Sequence, residues 1–201
     1  KSSKKNSKDL KRKYRMVNEH IQKSKGKNDE CYTYRYGVEP LLDYLEPFRD
    51  KIIWCPFDKE ESEYVKVFQE NGYNVVFSHI DNGQDFYKYE PEKWDILISN
   101  PPFSNKTSLF KRAISFGKPF ALLMTIAYLN DAVCAKTFSG MDLQILSFDD
   151  RMTFKNQPKG KMISFLSAYF CRDFLPERLI FSSFRNRGQM SLFGRDKNAN
   201  E

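Results

Sequence analysis

Long apolar runs are absent from this chain of 201 residues: none approaches the ~20 residues needed to cross a bilayer. No membrane partner is therefore expected. Histidine is scarce, with two residues, and the four cysteines (Cys31, Cys55, Cys134 and Cys171) are far apart and lack metal-type pairing. No bound metal is expected, and free thiols in a reducing cytoplasm are the expected state. The first residues are rich in Lys and Ser but contain no apolar segment, so they do not read as a secretory leader.

What is present is a folded, aromatic body: 40% of the residues are hydrophobic, including 18 Phe and 11 Tyr. The length suits one domain with a sizeable core. The net charge of +7 is unevenly spread. Residues 1–28 carry 11 Lys/Arg against 2 acids, residues 29–100 carry 7 against 16, and residues 101–201 carry 15 against 8. A basic arm, an acidic middle and a basic second half suit a protein that meets a cation on one side and a polyanion on another. Solvated faces with no partner give the same asymmetry.

The domain boundaries follow this division. Residues 1–28 have too few apolar positions for a core and read as a basic arm. Residues 29–185 read as the folded domain, and 186–201 as a flexible tail. Within the domain, Val38, Leu41, Leu42 and Leu45 fall at helical spacing. Residues 51–55, 74–79, 95–99, 120–126 and 143–148 read as strands, with helices around Tyr64–Phe68, Leu109–Ile114 and Asn130–Phe138 between them. The last two strands, Met162–Cys171 and Leu179–Phe184, follow one another without a helix. Alternating strands and helices predict an α/β fold with a mostly parallel twisted sheet of about seven strands and helices on both faces. The final pair predicts an antiparallel terminal hairpin.

In such sheets ligands sit beyond the carboxyl ends of the strands. The strand 95–99 ends in Asn100-Pro101-Pro102-Phe103, which sets an amide oxygen, a backbone carbonyl and a flat ring at that edge. Those groups suit the grip of a planar amino group. Accepting its two hydrogens on the Asn100 side chain and the Pro101 carbonyl draws the nitrogen towards tetrahedral geometry and localises its lone pair. Pro102 fixes the loop, and Phe103 offers a stacking surface. A plain strand-to-loop turn also uses Pro-Pro.

The segment resembles the Asn/Asp-Pro-Pro-Phe/Tyr motif of the S-adenosylmethionine-dependent amino-methyltransferases, and the resemblance runs from about Tyr32 to Phe184. It implies a Rossmann-like methyltransferase fold with S-adenosylmethionine as cofactor. Tyr32-Thr33 looks like the upstream element that folds over the cofactor's methionine end, with Tyr34 where those enzymes usually have proline. Pro56-Phe57-Asp58 looks like the loop beneath the methionine moiety. Asp81 is placed to accept from the ribose hydroxyls, with His79 where the family more often has that acid. Asp85-Phe86 resembles the pair that accepts from the adenine amino group and packs on its ring. The loop 56–63 contains no glycine, where related enzymes let the backbone approach the cofactor without a Cβ. Its acids, Asp58, Glu60 and Glu61, also suit the first turn of a helix.

Taken whole, the pattern looks most like small adenine-specific methyltransferases of phages and mobile elements, which implies adenine N6 methylation of DNA in a bacterial host cytoplasm. Arg151, Lys155, Lys159 and Lys161, around a late loop, are candidate phosphate contacts. In the tail, Gln189, Leu192 and Phe193 resemble the short peptide that docks bacterial replication proteins on the polymerase III sliding clamp. Two alternatives stay open. One is a fold that has lost cofactor binding and acts as a DNA- or clamp-binding protein. The other is an enzyme acting on RNA adenine or protein glutamine.

Overall fold

Short segments rich in Ile, Leu, Phe and Trp, apolar on both faces, can be satisfied only inside a sheet that is covered on both sides. In the computed structural model, which describes residues 32–155 and 166–184, they become seven strands of one sheet. These are β1 (Ile52–Cys55), β2 (Asn74–Phe77), β3 (Ile96–Ser99), β4 (Phe120–Thr125), β5 (Gln144–Phe148), β6 (Ser167–Arg172) and β7 (Leu179–Ser182). Their order across the sheet is β2-β1-β3-β4-β6-β5-β7. The α/β class and the number of strands are those the sequence predicts.

Alternation sorts each strand's side chains between two cores. Ile53, Cys55, Ile96, Ile98, Ala121, Leu123, Tyr169 and Cys171 face one layer. Trp54, Leu97, Phe120, Leu122, Met124, Ala168 and Phe170 face the other. The first layer is covered by α1 (Arg35–Val38) and α2 (Glu63–Glu70), the second by α3 (Lys106–Ser115) and α4 (Ala132–Thr137). The helix expected around Val38–Leu45 is instead one α-helical turn followed by 3₁₀ turns at Glu39–Tyr44 and Glu46–Phe48. Pro40 and Pro47 lack the amide protons that a continuous helix would use.

The terminal hairpin is corrected. β6 is the antiparallel strand, but its partners are β4 and β5, and β7 lies beyond β5, parallel to it. The chain leaves β6, passes over the end of β5 through residues 173–178, and lands on β5's outer edge. Gln144 makes that crossing possible. Its buried amide accepts from the backbone N–H groups of Phe174 and Leu175, both at 3.0 Å, and donates to the Leu175 carbonyl at 2.6 Å. Gln144→Ala strands three buried backbone groups, and the expected loss of stability is about 2 kcal/mol. The midpoint of urea unfolding measures it.

Among the described residues no helix is long and apolar enough to cross a membrane. The thiols of Cys55, Cys134 and Cys171 are free and buried. The arm at 1–28 and the tail at 186–201 lie outside the described residues.

Candidate functional site

The parallel strands β1, β2 and β3 are adjacent and end at the same edge, so the segments that follow them converge. After β1 come Pro56, which is buried, Phe57, which is half-buried, and Asp58, which is buried. After β3 come Asn100, half-buried Pro102 and Phe103, and buried Pro101. The Ser99 hydroxyl donates to Asp58 Oδ2 at 2.5 Å and so ties the two loops together. Burial pushes the Asp58 carboxyl up to about 6, against hydrogen bonds from Ser99 and Ser62 that favour its ionised form. Ser62 in turn accepts from the Lys59 amide at 3.0 Å, which closes the glycine-free loop into a turn ahead of α2. The acid-rich stretch thus divides its work: Asp58 points inward, while Glu60 and Glu61 are exposed.

The Asn100 amide nitrogen donates to Thr33 Oγ1 at 3.2 Å. With the nitrogen held there, the buried Oδ1 is the amide's remaining polar edge. Thr33 is itself buried and forms an antiparallel bridge with Phe154. Next to it the Lys155 amide donates to the Tyr32 carbonyl at 2.9 Å, and the Thr153 amide donates to Tyr36 Oη at 2.9 Å. Residues 32–36 and 153–155 are therefore knit together, and Thr33 joins them to the end of β3. Phe103 packs against both cores.

After β2, His79 is buried, and its Nδ1 accepts from the Asp81 amide at 3.1 Å. Asp81 is exposed and pairs with Lys59 Nζ at 2.7 Å. The hydrogen bond from Lys59 holds its carboxyl below the usual range. Asp85 Oδ1 accepts from the Tyr87 amide at 3.0 Å, so the segment 85–87 is a side-chain-stabilised turn. The Phe86 ring is 2% exposed, enclosed by Trp54, Phe57, Tyr87 and Phe116. Arg112 fixes this turn from outside, donating to the Phe86 carbonyl at 2.5 Å and to the Tyr89 carbonyl at 3.2 Å. Phe86 is placed as a core ring that shapes the loop.

Of the candidate phosphate contacts, Arg151 is exposed, and Lys155 pairs with Glu63 at 2.5 Å. Lys155 Nζ also lies 5.7 Å from the centre of the Tyr34 ring. Lys159 and Lys161 lie outside the described residues, as do Gln189, Leu192 and Phe193.

The structure brings Thr33, Asp58 and Asn100 into one linked group, with Pro101 and Phe103 adjoining. Sequence reasoning missed Ser99, which bonds Asp58 from the position before Asn100, and Ser62 and Lys59, which brace the loop after β1. A serine closing the otherwise aliphatic run Ile96-Leu97-Ile98 was the available signal. Nothing local marks Tyr64 and Tyr169, whose hydroxyls meet at 2.7 Å from positions on α2 and β6.

No protein-family model matches the chain, and no curated protein does. Among solved structures it is similar to the crystal structure of a predicted O-methyltransferase from Agrobacterium tumefaciens, at 13% sequence identity and a TM-score of 0.44. The match covers 71% of this chain and 82% of that one.

Proposed function

We propose that this chain is an S-adenosylmethionine-dependent methyltransferase acting on the exocyclic amino group of adenine in DNA. The observation that carries the reading is the setting of Asn100-Pro101-Pro102-Phe103. The motif leaves β3 at the shared strand edge, with the Asn100 amide nitrogen tied to Thr33 and a buried carboxylate, Asp58, one serine away.

One feature of the residues at this edge supports a fit to the cofactor. A sulfonium is a cation, and Asp58 is a buried carboxyl that accepts from the neutral Ser99 hydroxyl, so a nearby positive charge would favour its ionised form. Asp81 would meet the ribose hydroxyls, with Lys59 yielding part of its hold. Asp85 would accept from the cofactor's adenine, while Phe86 supports that loop from within the core. Tyr32, Thr33, Pro56 and Phe57 complete the wall. When bound, S-adenosylmethionine supplies an electrophilic methyl group.

The protein's own contribution is to prepare the nucleophile. An exocyclic amine shares its lone pair with its ring and attacks poorly. Asn100 Oδ1 and the Pro101 carbonyl would accept its two hydrogens, freeing the pair, and Phe103 would hold the base flat. Positioning of this kind supplies most of the rate in a transfer between two bound partners. A base in a duplex must be flipped out to arrive here. Arg151, Lys155, Lys159, Lys161 and the arm at 1–28 would contact phosphates, with Lys155 first released from Glu63. The tail residues Gln189, Leu192 and Phe193 would recruit the enzyme to the bacterial sliding clamp.

The test is transfer of labelled methyl from S-adenosylmethionine to DNA, RNA and protein acceptors offered in parallel. Label in DNA recovered as N6-methyladenine supports the reading. Label found in RNA or on protein glutamine moves the substrate to that class. No label in any acceptor removes the enzyme. The rival without cofactor rests on the same loops: Asp58 and Asp81 already have protein partners, and Phe86 has no open face.

A further inference from the structure

β7 closes one edge of the sheet, and only one side of its backbone is used. The Arg178 carbonyl accepts from the Ile145 amide at 2.8 Å, and the Ser182 carbonyl accepts from the Asp149 amide at 3.1 Å. Successive residues of a strand turn their N–H and C=O groups to opposite sides, so Arg178, Ile180 and Ser182 address β5 while Leu179 and Phe181 address the open edge. Among the described residues no strand lies beyond β7. Leu179 and Phe181 also carry exposed side chains. Leu179 stands in register with Ile145 and so shares the face of the second core, yet it is 52% exposed, and Phe181 is 73% exposed. Ile180, between them, packs on the first core. One pair of residues therefore offers both outward backbone groups and large apolar side chains.

Edge strands are ordinarily guarded by a charge, a proline or a bulge. β7 reads Leu-Ile-Phe-Ser and has neither charge nor proline. At the opposite edge, β2 begins with exposed Asn74 and keeps Val75, Val76 and Phe77 half-buried. We infer that β7 pairs antiparallel with β7 of a second copy of this chain, about a two-fold axis at Ile180. That register sets Leu179 opposite Phe181 of the partner subunit, and Phe181 opposite Leu179 of the partner subunit. Each such pair exchanges both of its backbone hydrogen bonds and brings two apolar side chains into cross-strand contact. Arg178 falls opposite Ser182 of the partner subunit, so like charges do not meet. With the axis at Leu179, Phe181 would oppose Glu177 of the partner subunit, and with the axis at Phe181, Leu179 would oppose Ser183 of the partner subunit. Either shift keeps one apolar pair where the axis at Ile180 makes two, which selects the register. The side chains and strand backbones of the pair remove on the order of 800 Å² from water, the low end for specific association. The expected dimer is reversible, with a dissociation constant on the order of 10–100 μM, since interfaces of about twice this area begin at micromolar. β4, β6 and β5 separate β7 from β3 by about 19 Å across the sheet, so the joint leaves the candidate site of each copy open and does not rest on methyl transfer.

Sedimentation equilibrium of the full chain from about 5 to about 500 μM tests the inference, on wild type, Leu179→Lys, Phe181→Glu and an equimolar mixture of the two variants. Wild type is expected to pass from monomer to dimer across that range. Each variant alone sets a charge against an apolar side chain in both pairs of the joint, and its dimerisation is expected to weaken by more than about tenfold. In the mixture the introduced charges are opposite and meet in one pair, while the other pair stays Leu against Phe. Dimerisation is there expected to recover to within about tenfold of wild type. Both positions are exposed, so the variants are expected to keep the wild-type thermal midpoint. Should a charged variant fail to fold, Phe181→Ser carries the comparison with wild type. A wild type that stays monomeric throughout overturns the inference. A dimer that neither variant weakens places the contact on another surface and overturns it too. A mixture no more dimeric than its components rules out this register of β7 on β7.

Discussion

Asn100→Ala is expected to lower kcat for methyl transfer by about a hundredfold to a thousandfold, the scale seen when one preorganised polar group is removed from a reacting centre. Binding of S-adenosylmethionine is expected to stay within about twofold, because the acceptor acts on the substrate's amine and not on the cofactor. The fold is expected to survive: Asn100 sits after β3, outside the strand ladder. Paired measurement of kcat and of cofactor affinity by calorimetry checks both halves. Unchanged turnover removes the amine-gripping role, and equal loss of affinity and rate makes Asn100 a residue of the wall.

The second large effect concerns Asp58 and pH. Its carboxyl ionises at about 6 in the folded chain, against an ordinary value of 3.8, chiefly because burial disfavours the charge. Near pH 3.5 the acid is mostly protonated in both states and costs little. As pH rises from about 4 towards 6, the unfolded chain releases the proton first, so the folded state binds more protons and loses stability. Above about pH 6 the full penalty is present, of order 3 kcal/mol from the separation of the two values. Asp58→Asn keeps an acceptor for Ser99 and removes the charge. The variant is therefore expected to be more stable than wild type at pH 7.5, with the difference vanishing near pH 4. Urea unfolding of both proteins at the two pH values measures this. A variant that is less stable at pH 7.5 would show that the Ser99 and Ser62 hydrogen bonds outweigh the buried charge. The same substitution is expected to weaken S-adenosylmethionine binding, so stability and affinity change in opposite directions at one position. That opposition is the mark of a residue kept for binding at a cost in stability.

How much of this was legible in the sequence depended on whether the signal was local. The strands announced themselves because a segment buried on both faces must be apolar throughout, as in Ile96-Leu97-Ile98. The turn after α2 is equally local, since Gly72 adopts φ of 79°, where a side chain is strained. The place of Asn100-Pro101-Pro102-Phe103 after β3 was legible for the same reason: the turn is made of consecutive residues. The pairing of the last strands was not. Two strands in succession most often form a hairpin, and nothing adjacent to Arg172 says that the chain will cross β5. That outcome depends on Gln144, some thirty residues earlier, offering one amide to three backbone groups. The surroundings of Phe86 were not legible either. An Asp-Phe pair after β2 has the look of a cofactor contact, while its burial follows from Trp54, Phe57 and Phe116, which no window around residue 86 includes.

The proposed methyl transfer requires that a methyl donor lodge at the edge where β1, β2 and β3 end. Isothermal titration of the full chain with S-adenosylmethionine at pH 7.5 tests that most directly. The expected result is saturable binding of one equivalent, with a dissociation constant between about 1 μM and 1 mM, the range in which enzymes commonly hold their substrates, and with weaker binding in Asp58→Asn. A titration that stays silent up to millimolar donor, on folded protein, contradicts it.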